Sequence, residues 1–326
     1  RSRSPRTGCV SLIPVSDLIA KLHERGARSV ALQFPAGLAR QAPQVAAALR
    51  DAGFFVLISG DPCYGACDLA LDALRHADVL VHFGHAPVED RPGVIYEPVR
   101  FDFDVAVLDR ALPLLSTRRI GLVTTVQHIH LVDAMAAYLR EHGIEAAVAP
   151  GDGRTPFPGQ VLGCNFAAAR ATGADEILFV GTGVFHPVGI RLATKNRVVA
   201  LDPYTGEAGE VDADRLVRRR AAVMERARGA ANFGIIVSTK SGQQRMDLAR
   251  RLAALSDRAV LVMMREVSPG ELLDLGFAAY VNTACPRLAY DDQARFPVPV
   301  LAPPEFEILC GARSWDDYTI DEYLSP

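Results

Sequence analysis

Short β-branched and apolar runs alternate along the whole chain with stretches whose apolar positions recur every three or four residues. That alternation predicts strands separated by helices, and therefore an α/β fold with parallel-type sheets. In the first third the pattern predicts helices over residues 15–24, 38–51 and 68–76, with strands over 29–34, 55–59 and 78–82. The second third repeats the order, with strands at 119–124, 146–148 and 176–180 and helices at 128–141 and 166–171. The last third does so again, with strands at 233–238, 259–263 and 279–282 and a helix at 243–254.

Each repeat carries one cysteine in a loop near a strand end: 38 residues separate Ser29 from Cys67, 45 separate Arg119 from Cys164, and 52 separate Phe233 from Cys285. The order of elements repeats although the residues do not. We read three similar α/β domains, 1–105, 106–208 and 209–326, with the softest joints at 98–113 and 202–210. Loops at the carboxyl ends of parallel strands are where such folds place their chemistry. Packing of the three around a pseudo-threefold axis would bring the three cysteines to one centre.

Composition narrows the class. The chain has 326 residues and a mass of 35.1 kDa; 49% are hydrophobic and 22% charged, which excludes extended disorder. A net charge of −3 and a pI near 6.3 argue against coating of nucleic acid by bulk electrostatics. No apolar run approaches the roughly 18 residues of a membrane span. The basic start RSRSPRTG is not followed by the apolar stretch of a secretory signal, so a cytoplasmic location is expected.

Six cysteines are too few for a disulfide scaffold in a chain of this length. Cys67 lies in DPCYGACD, where the expected helix puts it near a helix N-terminus, a setting that favours thiolate. Cys164 follows Gly163 before another expected helix, and Cys285 precedes Pro286 in ACPR. Three thiolates suit zinc with an open fourth position, or a 4Fe–4S cluster with one iron lacking a protein ligand. Separations of 97 and 121 residues, without a close C-x2-C pair, suit a cluster held between domains. Cys63 is the runner-up for the first ligand, as a spectator or a partial substitute for Cys67. Cys9 and Cys310 read as buried structural thiols.

Histidines cluster in His82-Phe-Gly-His85 and Gln127-His-Ile-His130, where capping or carbonyl bonding is commoner than metal ligation. The glycines of GTGVFHPVG would let backbone amides approach an anion or a nucleoside, though the third glycine of the dinucleotide fingerprint is missing. STKSGQ follows a strand but lacks the GK[ST] order of a nucleotide phosphate loop. Lys240 and Gln243 there could hold a carboxylate or ribose, with an exposed turn lysine as the plain alternative.

YGACD, HFGH, TVQHIH, PGQVLGCN, GTGVFHPVG, DPYT, STKSGQ and ACPR occur in this order over nearly the whole chain. In these motifs the sequence resembles the archaeal enzymes of the first step of diphthamide synthesis, departing mainly in the additional Cys63. The resemblance implies a non-standard radical S-adenosylmethionine enzyme with a 4Fe–4S cluster on Cys67, Cys164 and Cys285, which would be both its metal ligands and its catalytic centre. It implies transfer of the 3-amino-3-carboxypropyl group of S-adenosylmethionine to an imidazole carbon of a histidine in translation elongation factor 2, with release of methylthioadenosine. The implied co-substrate contacts are Gly181, Thr182 and Gly183, the loop with Lys240, Gly242 and Gln243, and Asp291, with Asp292 a further candidate. Implied partners are elongation factor 2, a second copy of the chain and an electron donor, with no membrane and no direct nucleic-acid contact. Two other readings fit three cysteines in three α/β domains: a dehydratase like quinolinate synthase, whose motifs do not match, and a non-catalytic metal-stabilised partner subunit.

Overall fold

The computed structural model describes residues 15–325, so Cys9 lies outside the described residues. The chain divides into two compact units. The first holds the described residues up to Phe103 together with Val126–Leu131. It contains α1 (Val15–Glu24), β1 (Ser29–Gln33), α2 (Ala42–Asp51), β2 (Phe55–Ile58), β3 (Val79–Phe83) and β4 (Val94–Glu97). The strands form a parallel sheet in the order β2-β1-β3-β4. β3 is buried at every position because both faces of the sheet are covered. Leu18, Leu22, Val45 and Leu49 of the two helices cover one face, and Leu69 and Ala70 pack with Ala31 and Leu80 on the other.

The second unit holds Asp104–Thr125 and everything described from Val132 onward, and carries two sheets. The first of these is built from β5 (Arg119–Thr124), α3 (Val132–Glu141), β6 (Glu145–Ala147), α4 (Ala167–Ala171), β7 (Glu176–Val180), α5 (Phe185–Thr194), β8 (Arg197–Leu201) and β9 (Ala208–Glu210). Its order is β6-β5-β7-β8-β9, with only β9 antiparallel. Helix α6 (Asp214–Arg228) leads into β10 (Phe233–Ser238), α7 (Met246–Ala253), β11 (Ala259–Met264), α8 (Pro269–Leu275), β12 (Ala279–Asn282), α9 (Arg287–Tyr290), β13 (Val300–Leu301) and α10 (Pro303–Leu309). These strands are all parallel, in the order β11-β10-β12-β13.

One apolar cluster runs through both sheets of this unit, from Phe166 and Phe179 to Ile236, Tyr280 and Tyr290. Packing is close where Gly189 of α5 meets Phe166: an added Cβ would stand 2.2 Å from Cζ of the ring. A fully buried ion pair locks α6 to α10, Arg220 donating to both carboxylate oxygens of Glu305 at 2.8 and 2.5 Å. Its remaining N–H groups reach the carbonyls of Ala289 and Val300, which satisfies the buried guanidinium.

The α/β architecture with three parallel-type sheets is the one the pattern predicts. Three local expectations are corrected. No α-helix follows Cys67: only a 3-10 turn forms, over Leu71–Arg75. The Gln33 side chain intercepts the backbone there, its amide donating to the Asp68 carbonyl at 2.7 Å and its oxygen accepting from Ala70 N at 3.1 Å, while Leu69 and Ala70 turn into the core. Residues 202–210 do not form a plain joint, because Ala208–Glu210 folds back as β9 against β8. Asp202 sets that turn by accepting from the amides of Tyr204 and Thr205. Cys310 is exposed rather than buried, since it follows the last residue of α10 and leaves the apolar face of that helix.

Candidate functional site

In the first unit the chemistry-bearing side chains gather at the carboxyl ends of the strands. Gln33 ends β1, Cys63 and Cys67 lie in the loop after β2, and His82 and His85 lie at the end of β3. Cys67 is half-buried; the Asp68 amide closes a tight turn on Gly65 O at 3.0 Å, and the Cys67 sulfur stands 3.4 Å from where a Gly65 Cβ would be. An added Cβ at Gly65 would thus only touch the thiol at ordinary contact distance.

Cys63 is buried, and its sulfur lies within 4.8 Å of ring nitrogens of both His82 and His85. His82 Nε2 is 3.0 Å from His85 Nδ1. Burial lowers the basicity of both rings, His82 to about 3 and His85 to about 4, so both are neutral near pH 7. The other histidine pair behaves as its plain reading suggests: His128 Nδ1 sits 3.1 Å from the Phe101 carbonyl and His130 Nε2 2.7 Å from Asp102.

In the second unit Cys164 and Cys285 come from two different sheets. The Cys164 segment leaves the carboxyl end of β5, where Val161 N donates to Thr124 O at 2.9 Å, and Cys285 lies three residues beyond β12. The two loops approach each other: a Cβ on Gly163 would meet the Phe185 ring at 2.8 Å and Arg287 Cδ at 3.8 Å. Both cysteines are half-buried.

A cation the sequence reading missed ties these loops together. Arg245 donates to the carbonyls of Thr283 and Ala284, at 2.8 and 3.2 Å, immediately before Cys285. It is fixed by a bidentate pair with buried Asp321 at 2.8 and 2.5 Å. The C-terminal segment completes the seat, since Tyr323 N donates to the Cys164 carbonyl at 2.6 Å. Asn165 Nδ2 donates to both Asp152 Oδ2 and the Tyr323 carbonyl at 2.7 Å. Arg154 reaches the Gly242 carbonyl at 3.0 Å, linking this seat to the loop after β10. The signal for Arg245 in the sequence is faint, because an arginine at the start of an amphipathic helix reads as surface.

Among the expected co-substrate residues, Gly181, Thr182 and Gly183 form the loop between β7 and α5. Gly181 is required sterically, as an added Cβ would lie 2.8 Å from the Phe179 ring, and Gly183 adopts φ +78°. Lys240, Gly242 and Gln243 are buried in the loop after β10, and Lys240 Nζ is 2.7 Å from Glu266, so it is not an exposed turn lysine. Asp291 is engaged by Arg287 Nε at 2.7 Å, and Asp292 by Arg295 at 3.3 Å. The loops after β10 and β12 lie side by side because those strands are neighbours.

Half-buried thiols at parallel-strand ends, with a partly buried guanidinium beside two of them, are a donor set that fits an iron–sulfur cluster: thiolate ligands with a cation to balance their charge. The family model of diphthamide synthesis proteins matches residues 34–320. The chain belongs to that family. It is 38% identical over 323 residues to the 2-(3-amino-3-carboxypropyl)histidine synthase of Pyrococcus horikoshii, covering 96% of this chain and 94% of that protein. It is 30% identical to subunit 1 of the Nematostella vectensis synthase, covering 94% of this chain and 69% of that one. The crystal structure of Dph2 from Pyrococcus horikoshii with a 4Fe–4S cluster is similar with a TM-score of 0.91 at 37% identity, covering 96% of this chain and 94% of that chain. Among the described residues no helix is long and apolar enough to cross a membrane.

Proposed function

We propose that this chain is a cytoplasmic transferase that moves the 3-amino-3-carboxypropyl group of S-adenosylmethionine to an imidazole carbon of one histidine in translation elongation factor 2, the first step of diphthamide formation. The observation that carries the reading is the likeness to the cluster-containing Dph2 across 96% of the chain. In the reaction one sulfonium C–S bond of S-adenosylmethionine breaks, a C–C bond to the imidazole forms as that ring carbon's C–H bond is lost with its proton going to solvent, and methylthioadenosine leaves; the net change is redox-neutral. Cys67, Cys164 and Cys285 would hold a 4Fe–4S cluster, one from each of three α/β domains. Such a cluster supplies one iron open to the methionine part of S-adenosylmethionine and a source of one electron for the sulfonium.

The chain's own residues bind and orient. Gly181, Thr182 and Gly183 offer a strand-to-helix turn that admits the nucleoside at Gly183, where an added Cβ would meet nothing within 4 Å, while Gly181 makes room for the Phe179 ring. Lys240, Gly242 and Gln243 would hold the amino-acid end, with Glu266 keeping the Lys240 ammonium aimed. Asp291 is a further contact, reached through its pairing with Arg287. Which sulfonium carbon faces the iron selects the bond that breaks, so these contacts decide the product by orientation. An external electron donor reduces the centre. The edge strand β11 exposes Val260, Leu261 and Met263, which supports a second copy of the chain as a partner.

The test is direct. Anaerobically reconstituted protein, dithionite, S-adenosylmethionine and elongation factor 2 are combined, and the factor is weighed by mass spectrometry. A gain of one aminocarboxypropyl group on a single histidine, absent with Cys164→Ala, is the expected result. No gain from protein with an intact four-iron cluster overturns the proposal.

A further inference from the structure

Cys63, His82 and His85 take no part in the function proposed above, yet their ligand atoms all lie within 4.8 Å of one another. We propose that these three residues form a second, mononuclear metal site of the zinc class, built at the carboxyl end of the first sheet and independent of the three cluster cysteines.

Gln33 sets the tautomer of His82. Its side-chain amide is pinned by two backbone partners, Nε2 donating to Asp68 O at 2.7 Å and Oε1 accepting from Ala70 N at 3.1 Å. That fixes Oε1 as the atom facing His82, 2.9 Å from its Nδ1. An oxygen can only accept, so His82 Nδ1 carries the proton and Nε2 presents a bare lone pair. A carbonyl oxygen on the far nitrogen of an imidazole is the arrangement that orients metal-bound histidines and raises their basicity as ligands.

The lone pair of His82 points at His85 Nδ1, 3.0 Å away, with the Cys63 sulfur closing the triangle. A tetrahedral ion held at about 2.0–2.1 Å from nitrogen and about 2.3 Å from sulfur sets its ligand atoms roughly 3.3–3.7 Å apart. The observed nitrogen pair needs to open by only a few tenths of an ångström, within the reach of side-chain torsions. One sulfur and two imidazoles select a borderline ion such as Zn²⁺ over Mg²⁺ or Ca²⁺, which take oxygen ligands. Three protein ligands leave the fourth tetrahedral position to water or an anion.

The competing arrangement is a bare hydrogen bond from His85 to His82, with no ion. Zinc titration separates the two. The full chain carrying Cys67→Ala, Cys164→Ala and Cys285→Ala, dialysed against chelator and then against Zn²⁺, should retain one zinc per chain by plasma mass spectrometry. Co²⁺ in its place should show a sulfur-to-cobalt charge-transfer band. Adding Cys63→Ala or His85→Gln should abolish retention, and Gln33→Ala should weaken zinc about 10–100-fold. Should the triple variant fail to fold, wild-type apoprotein serves: Zn²⁺ should protect Cys63 from alkylation, read on its peptide, while leaving Cys310 reactive. No retained zinc, zinc indifferent to Cys63→Ala, or no protection of Cys63 overturns the proposal.

Discussion

The guanidinium carbon of Arg245 lies 4.1 Å from the centroid of the Tyr323 ring, stacked against the residue whose amide holds the Cys164 carbonyl. One arginine thus grips the backbone before Cys285 and the aromatic ring beside Cys164, while Asp321 neutralises it. Arg245→Met leaves the buried Asp321 carboxylate without its cation, and breaking a pair of this kind costs about 3–5 kcal/mol. Urea denaturation should show that loss, and the iron content of reconstituted protein should fall with it. Replacing both partners, as Arg245→Met with Asp321→Leu, should recover most of the stability. An unchanged midpoint in the single variant would show that the seat does not depend on this pair.

Iron content should sort the cysteines. Cys67→Ala, Cys164→Ala and Cys285→Ala are each expected to lose the four-iron spectrum after anaerobic reconstitution. Cys63→Ala and Cys310→Ser should keep it, the first because its sulfur faces His82 and His85, the second because it is exposed at the end of α10. Retention of the cluster in Cys67→Ala and its loss only on adding Cys63→Ala would make Cys63 the substitute ligand.

Gly189→Ala should destabilise the second unit by about 1–3 kcal/mol, the usual cost of overpacking. The added Cβ would stand 2.2 Å from Phe166, two residues after Cys164, so the strain falls on the cysteine loop. Gly209→Ala in β9 meets nothing within 4 Å and should leave the thermal midpoint unchanged. Equal effects from the two substitutions would refute the packing argument.

His186 should make stability pH-dependent. Burial, helped by the charge of Arg287, lowers it from 6.5 to about 4, so the folded state binds its proton less readily than the unfolded chain does. Stability from this group is therefore fully present above 6.5 and is lost as the pH falls from 6.5 towards 4. His186→Phe, which keeps a ring against Phe179, should flatten denaturation midpoints across that window. A slope unchanged by the substitution would assign the pH dependence to other groups.

The sequence was most readable where burial on both faces makes a strand continuously apolar. β5, β7, β10 and β12 fall at the residues the pattern predicts because each is a run with few polar interruptions. β4, β9 and β13 are absent from that reading because they are short and sit at sheet edges, where the period is too brief to count; β8 is absent too, although it is as long as β7 and lies inside its sheet. The helix expected after Cys67 failed for a reason no local window contains, a glutamine 35 residues earlier taking its backbone bonds. The motif cysteines stood out by their repetition, whereas Arg245, Asp321 and Tyr323 are recognisable only once two distant segments meet.

The seat of Cys164 has a consequence for the order of events in the cell. Asn165 and Tyr323 are bonded across 158 residues of chain. A ribosome that has just released Cys164 has therefore made a cysteine whose loop still lacks its clasp. The clasp arrives only when residues 321–323 emerge and dock. With Cys164 as a cluster ligand, as proposed, iron delivered earlier would meet a slack loop, and a nascent chain stalled short of this point should remain colourless.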